Sequence, residues 1–273
     1  MGAVVDQLRV SQSLADHRRL VALVARLAGL RGWGCFDLDH HAAAERWYTL
    51  ALTAARESEA WALCGWLLGA QSLIPWHRND HRGAQALIEQ GLYLAGQGGD
   101  STAIAWLHAL HGRTRAAARD REGFTTAYGH AERAADYSTE RDRRHGMDFD
   151  RGVLDLRYYT GLSHLLLGQP VKAADALQRS LAALPPAHTK ARAVLTLAVA
   201  DANVQAGDTD HAIELARTAL SATLQQPIMP ILQQARRIRR RIGHHAPPSV
   251  ADLDHDLEVF AAALAAAAGR AES

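Results

Sequence analysis

The sequence predicts an all-α protein: a right-handed α-solenoid of about five helical hairpins closed by C-terminal capping helices. Three observations lead there. Apolar residues recur at three- and four-residue spacing through most of the chain, the period of an amphipathic helix. The helical stretches come in pairs, parted by short breaks rich in Gly, Asp, Asn and Pro. One order of small, turn and large residues returns about every 40 residues, the period of a helical solenoid.

The clearest pair runs from Leu156 to Pro185. Tyr158, Tyr159, Leu162, Leu165 and Leu166 mark its first helix, and Val171, Ala174, Leu177, Leu181 and Leu184 its second. Gly168-Gln169-Pro170 breaks the two, because Gly accepts positive φ and Pro starts a helix but cannot continue one. Small residues at Gly161, Ala173 and Ser180 are expected where the helices approach. The same columns recur along the chain. A first small column is Gly32, Ser72, Gly112, Gly161 and Ala200, and a turn column is Asp39, Asn79, Arg119, Gly168 and Gly207. A second small column is Ala44, Ala84, Phe124, Ala173 and Ala212, with Phe124 the exception. A larger column follows at Tyr48, Ile88, Tyr128, Leu177 and Ala216, then a third small one at Ala51, Gly91, Ala131, Ser180 and Ala219. This order resembles the tetratricopeptide repeat, which implies stacked antiparallel hairpins whose first helices line a concave face.

The elements follow in order. Residues 1–19 read as a polar lead-in and residues 20–242 as the repeat region. The first helix is expected over Leu20–Leu38 and its partner over His41–Arg56. The second pair is Glu59–Trp76 and His81–Ala95. A loop over 96–101 offers Asp100 or Ser101 as a cap, and the third pair is Thr102–Asp120 and Glu122–Ser138. Residues 139–151 are charged and break the rhythm. The fourth pair is the one already described, and the fifth spans Lys190–Leu224. A terminal helix over Ile228–Ile242, a linker over 244–248 and a capping helix over residues 249–268 complete the chain.

A wider resemblance rests on Leu27–His41 (LAGLRGWGCFDLDHH), Ala44-Glu-Arg-Trp-Tyr, Ala51-Leu52, Asp148-Phe-Asp-Arg and Val250-Ala-Asp-Leu-Asp. These blocks are similar to the repeat region of actinobacterial helix-turn-helix transcriptional regulators. That implies a sensor or interaction region. The DNA-binding domain of those regulators has no counterpart in the nineteen lead-in residues, so no specific DNA binding is expected of this chain alone. A formal net charge of +1 gives no electrostatic case for a polyanionic partner. The two cysteines, Cys35 and Cys64, make neither a disulfide framework nor a metal motif and fit a reducing cytoplasm. The N-terminus lacks a signal-peptide h-region and no apolar run reaches spanning length, so no membrane association is expected.

The chemical constellations are sparse. His41 and Glu45 are four residues apart and could share a metal, and His77/His81 and His108/His111 invite the same reading. Polar turns and helix starts account for all of them without a metal, and no HExxH or paired-Cys context accompanies them. Asp148, Asp150 and Asp155 suit acid–base work only if something gathers them; a charged connection leaves carboxylates solvated. No phosphate-binding loop, GxSxG, GxGxxG or kinase set is present. No catalytic residue, metal or cofactor is assigned. The Arg236–Arg241 block could meet phosphates, or could be the solvated side of a helix whose Ile231, Leu232, Ala235, Ile238 and Ile242 face inward.

The concave face of first helices is the candidate site. Its positions hold Trp33 and Phe36, then Trp66, Leu73 and Trp76, then Trp106 and Arg113, then Tyr158 and Leu162, and finally Asp201. Such a face suits a peptide or protein partner; the alternative is a small-molecule-binding sensor domain, or an enzyme, tied to a biosynthetic pathway and holding an apolar molecule with an acidic or carbonyl group in the same groove. The alternative, that these indoles fill the core between repeats, stays open. Trp66 and Trp106 occupy equivalent places one repeat apart and are expected to be near neighbours.

Overall fold

The computed structural model describes residues 13–138, 156–243 and 249–272, and every regular element among them is helical. The chain forms two compact units, Met1–Arg151 and Gly152–Ser273. The first holds α1 (Leu14–Asp37), α2 (His41–Glu57), α3 (Trp61–Gln71), α4 (Leu73–His77), α5 (His81–Gly98), α6 (Ser101–Ala117) and α7 (Arg121–Asp136). The second holds α8 (Leu156–Leu166), α9 (Pro170–Ala183), α10 (Thr189–Ala206), α11 (Thr209–Thr223), α12 (Met229–Ile242) and α13 (Val250–Glu272). Consecutive helices pack as neighbours: α1 on α2, α3 on α5 and α6 on α7 in the first unit, α8 on α9 and α10 on α11 in the second. Within the first unit α3 also touches α1 and α6, so first helices lie beside first helices.

The five turns inside these pairs share one geometry. Asp39, Asn79, Arg119, Gly168 and Gly207 all have positive φ, from 61° to 93°. At each, the next amide donates to a carbonyl five residues back. These bonds are His40 to Cys35, Asp80 to Pro75, Asp120 to Arg115, Gln169 to His164 and Asp208 to Asn203, at 2.9–3.0 Å. That bond satisfies a carbonyl the helix end would otherwise leave open, and it demands a left-handed residue. The second helix then begins two residues on. Asp80, Asp120 and Asp208 cap it by accepting from the amides of Gly83, Gly123 and His211, and Pro170 opens α9 at a position with no amide to satisfy.

The columns of the sequence meet inside the pairs. Tyr48 and Leu177 are fully buried opposite Gly32 and Gly161. A Cβ on Gly161 would stand 2.5 Å from Leu177 Cγ. In the third pair Phe124 takes this place: it is the nearest side chain to Gly112, at 3.5 Å from an added Cβ, while Tyr128 is left half-buried. The space around Gly112 is therefore ordinary and that around Gly161 is not.

Several boundaries differ from the sequence expectation. The first helix starts at Leu14, ahead of Leu20, because Ser13 accepts from the Asp16 amide and caps it there. The Glu59–Trp76 stretch is interrupted at Ser72, whose hydroxyl donates to the Gly69 carbonyl at 2.6 Å, just before Pro75 removes an amide. The glycine loop at 96–101 is mostly helix, and Asp100 caps α6 directly. Residues 1–12 of the lead-in, the 139–151 connection, Asp148, Asp150, Asp155 and the 244–248 linker lie outside the described residues.

Gly161→Leu is expected to destabilise the protein by about 1–3 kcal/mol through overpacking against Leu177. Gly112→Ala is expected to stabilise it by about 0.5–1 kcal/mol, since it gains helix propensity without a clash. Paired thermal melts would separate the two, and equal shifts would contradict this account of the packing. Arg119 pays the left-handed penalty that glycine avoids. Arg119→Gly is therefore expected to stabilise by roughly 0.5–1 kcal/mol in the same assay.

Candidate functional site

The first-helix face of residues 13–138 is core at one end and surface at the other. At the core end Trp66 and Trp106 stack with ring centroids 4.6 Å apart and 26° between planes. They are only 2% and 7% exposed, so these two expected anchors stand inside the unit rather than on an open face. The cause lies in α3, where Gly69 leaves the space occupied by the Trp106 ring; a Cβ there would run into it. Near neighbours they are, but as packing.

At the other end the helices stop and the rings emerge. Trp33 lies 5.9 Å from Phe36, whose buried ring meets His77 edge-on at 5.1 Å and stacks on His41 at 5.8 Å. Trp76, next to His77, packs on His81 at 4.6 Å. Arg113 lies with its guanidinium carbon 4.0 Å above the Trp76 ring, a cation–π contact that little water reaches, since the residue is 7% exposed. The junctions follow one pattern: His77 of the second pair reaches back to Phe36 of the first, and Arg113 of the third reaches back to Trp76 of the second. Two groups of ring contacts result, one bridging the first pair to the second and one the second to the third, with Trp33, Trp76, His41, His77 and His81 half-exposed. Leu73 is half-buried at the start of α4.

The other expected residues belong to the second unit. Tyr158 is buried edge-on against Tyr159 at 5.0 Å, and Leu162 is half-buried on α8. Asp201 is buried on α10, with Oδ1 3.3 Å from Arg241 Nε. Burial raises its carboxyl above the ordinary value, and Arg241 and Arg237 oppose the rise. Arg241 comes from the basic block, as does Arg239, which grips Asp254 of α13 at 2.6 and 3.0 Å and the Gly243 carbonyl. Ile231, Leu232, Ala235 and Ile238 are buried, so the block is the outer side of a packed helix with two of its arginines in ion pairs within the unit.

The histidines of the row, His41, His77 and His81, were legible only as isolated pairs. Their shared placement two residues past the turn column, true of His41 and His81, was the available signal. They do not converge on a metal. His41 faces Asp39 at 3.3 Å, while Glu45 pairs with Arg78 at 2.9 Å. No group of three or more His, Cys, Asp or Glu side chains among the described residues is placed to hold a metal ion. Burial, first of all, holds His41 and His81 below the usual histidine range, with Arg78 and Arg113 adding to it, a shift that favours the neutral ring in both.

A second histidine cluster lines an open cleft of about 470 Å³ formed by α6 and α7, with Leu92 of α5 at its edge. His108 and His130 stack at 5.0 Å, His111 accepts from Arg115 Nε at 3.3 Å, and Arg133 bonds His130 Nδ1 at 3.0 Å. Burial and then His130, His111 and Arg133 lower the His108 pKa to about 4. Its neutral form is thus the one the fold favours. The stability tied to it is complete above about pH 6.5, the unfolded value, and is lost as the pH falls toward 4. Melting temperatures are expected to fall across that window, and to fall less in His108→Phe, which keeps a stacked ring without the titration. Parallel curves for the two proteins would contradict the assignment.

Comparison with protein-family models, with curated proteins and with solved structures returns no match to the chain. No helix among the described residues is long and apolar enough to cross a membrane.

Proposed function

We propose that each unit is a run of tetratricopeptide-like, right-handed α-solenoid hairpins, and that the protein is a regulatory interaction module. In this reading residues 13–138 bind a peptide segment of a partner protein across the exposed end of the first-helix face. The observation that carries it is the pair of ring groups that bridge three hairpins, Trp33–Phe36–His77 and Trp76–Arg113, in which Trp33, His77 and Trp76 stay half-open to solvent while Phe36 and Arg113 hold them from below. Half-exposed indoles can still gain apolar contact, and they offer it at little entropic cost because the rings are already held. The half-exposed imidazoles of His41 and His81, whose neutral form burial favours, add N–H donors for a carboxylate or a backbone carbonyl. The five matching turns support the hairpin reading, and the regulatory role follows the likeness of the sequence blocks to regulator repeat regions.

Panning a random peptide library displayed on phage against the full chain tests this. Enriched peptides are expected to combine apolar residues with a carboxylate. Trp76→Ala should weaken them by about thirty-fold or more in fluorescence anisotropy, and Trp76→Phe should restore most of the loss. Trp106→Ala serves as the packing control: it is expected to cost about 3–5 kcal/mol of stability instead. Peptides that bind Trp33→Ala and Trp76→Ala as tightly as the parent would overturn the site, and the failure of any peptide to enrich would overturn the function.

A further inference from the structure

Helix α1 uses its two sides in opposite ways. Towards the core it presents mostly small residues: Val21, Ala25, Ala28, Gly29 and Gly32 are buried. Away from it stand Leu20, Leu23, Leu27 and Leu30. Their spacing of three, four and three residues is that of a coiled-coil seam, and it covers about 15 Å of helix axis. Leu23 is 41% and Leu30 54% exposed, and Leu20 and Leu27 are half-buried. One step further along the seam, an added Cβ on Gly34 would meet nothing within 4 Å. Single surface leucines are ordinary; two exposed and two half-buried leucines in register along one side of a helix are not.

The flanks of the seam name the occupant. Arg19 and Arg26 lie on one side and Arg31 on the other. Asp16 approaches Arg19 at 3.8 Å, whereas Arg26 and Arg31 make no ion pair among the described residues. A second copy in parallel register would set Arg26 against Arg31, and an antiparallel one would set Arg19 against Arg26. Flanking charges choose partners in such seams, and both arrangements oppose like charges. We propose that the outward seam of α1 docks an amphipathic helix of another protein, with apolar residues at matching spacing and Asp or Glu at the flanking positions. This surface uses none of the ring contacts of the Trp33–Arg113 row and does not depend on them.

The probes are two synthetic three-heptad peptides with leucine on the seam, one with glutamate and one with lysine at every flanking position. Each is titrated separately into the full chain by fluorescence anisotropy. The glutamate peptide is expected to bind at least about ten-fold more tightly, with an affinity that falls as salt rises. The double variant Leu23→Glu/Leu30→Glu, at exposed sites, should keep the parental melting curve and lose at least about thirty-fold in affinity. Arg26→Glu/Arg31→Glu keeps the leucines and should reverse the preference towards the lysine peptide. Trp76→Ala should leave all of this unchanged, which separates a failure here from a failure of the row. Equal binding of both peptides, no binding, or indifference to the leucine pair overturns the proposal. So does a dimer in solution that the leucine variant dissolves, which would assign the seam to a second copy. Leucine-dependent flotation with phosphatidylserine-containing vesicles would assign it to a lipid surface and overturn the proposal equally.

Discussion

How near the two helices of a pair can come is the constraint on which the rest depends. Packed helix axes lie about 8–10 Å apart, and the low end of that range is reached where one of the facing residues is nearly without a side chain. Gly32 and Gly161 meet that condition for Tyr48 and Leu177, and the large side chain fills the gap the small one leaves. Once the helices are that close, the connection must reverse the chain in very few residues. The left-handed residue at each turn does this, and its backbone bond five residues back closes the helix end at the same stroke. Small column and turn column are therefore one device seen twice: the first sets the separation, and the second supplies a link short enough for it.

The same closeness decides what becomes of the aromatic residues. Trp66 lies alongside the glycine-bearing stretch of α3, where the neighbouring first helix packs tightly and the Trp106 ring fits over Gly69. Trp76 follows the interruption at Ser72, in the short α4, and its ring looks past the end of that packing. One helical face is thus dry where backbones touch and wet where they part. Arg113 lies at the boundary with its guanidinium over the Trp76 face, a contact that favours a cation there.

Arginine placement separates two roles. In the second unit arginines fasten helices: Arg239 holds Asp254, and Arg217 reaches both Asp252 at 2.8 Å and Asp256 at 2.7 Å. Exposed pairs of this kind add little individually, but a bidentate grip has a defined geometry and so aligns α13 on α11 and α12. In α1 the arginines flank leucines and have fewer acidic partners. The same residue type is a brace in one place and, at Arg26 and Arg31, stands without an ion pair among the described residues in the other.

Periodicity alone determined the helices, their pairing and the turn sites, because those depend on residues within one or two turns of each other. Even the exception was visible: Phe124 in a small column announced the different packing around Gly112. The candidate face was legible only as a list. Whether Trp66 or Trp76 reaches solvent depends on the backbone of another helix tens of residues away, and periodicity carries no record of that. The basic block shows the same limit. Its apolar stripe could be read from the sequence, but the carboxylates that meet Arg239 and Arg241 lie on α13 and α10, and only the tertiary structure brings them within reach. The sequence determined the identity of each pair; burial, and with it the division between core and site, was decided by how the pairs pack.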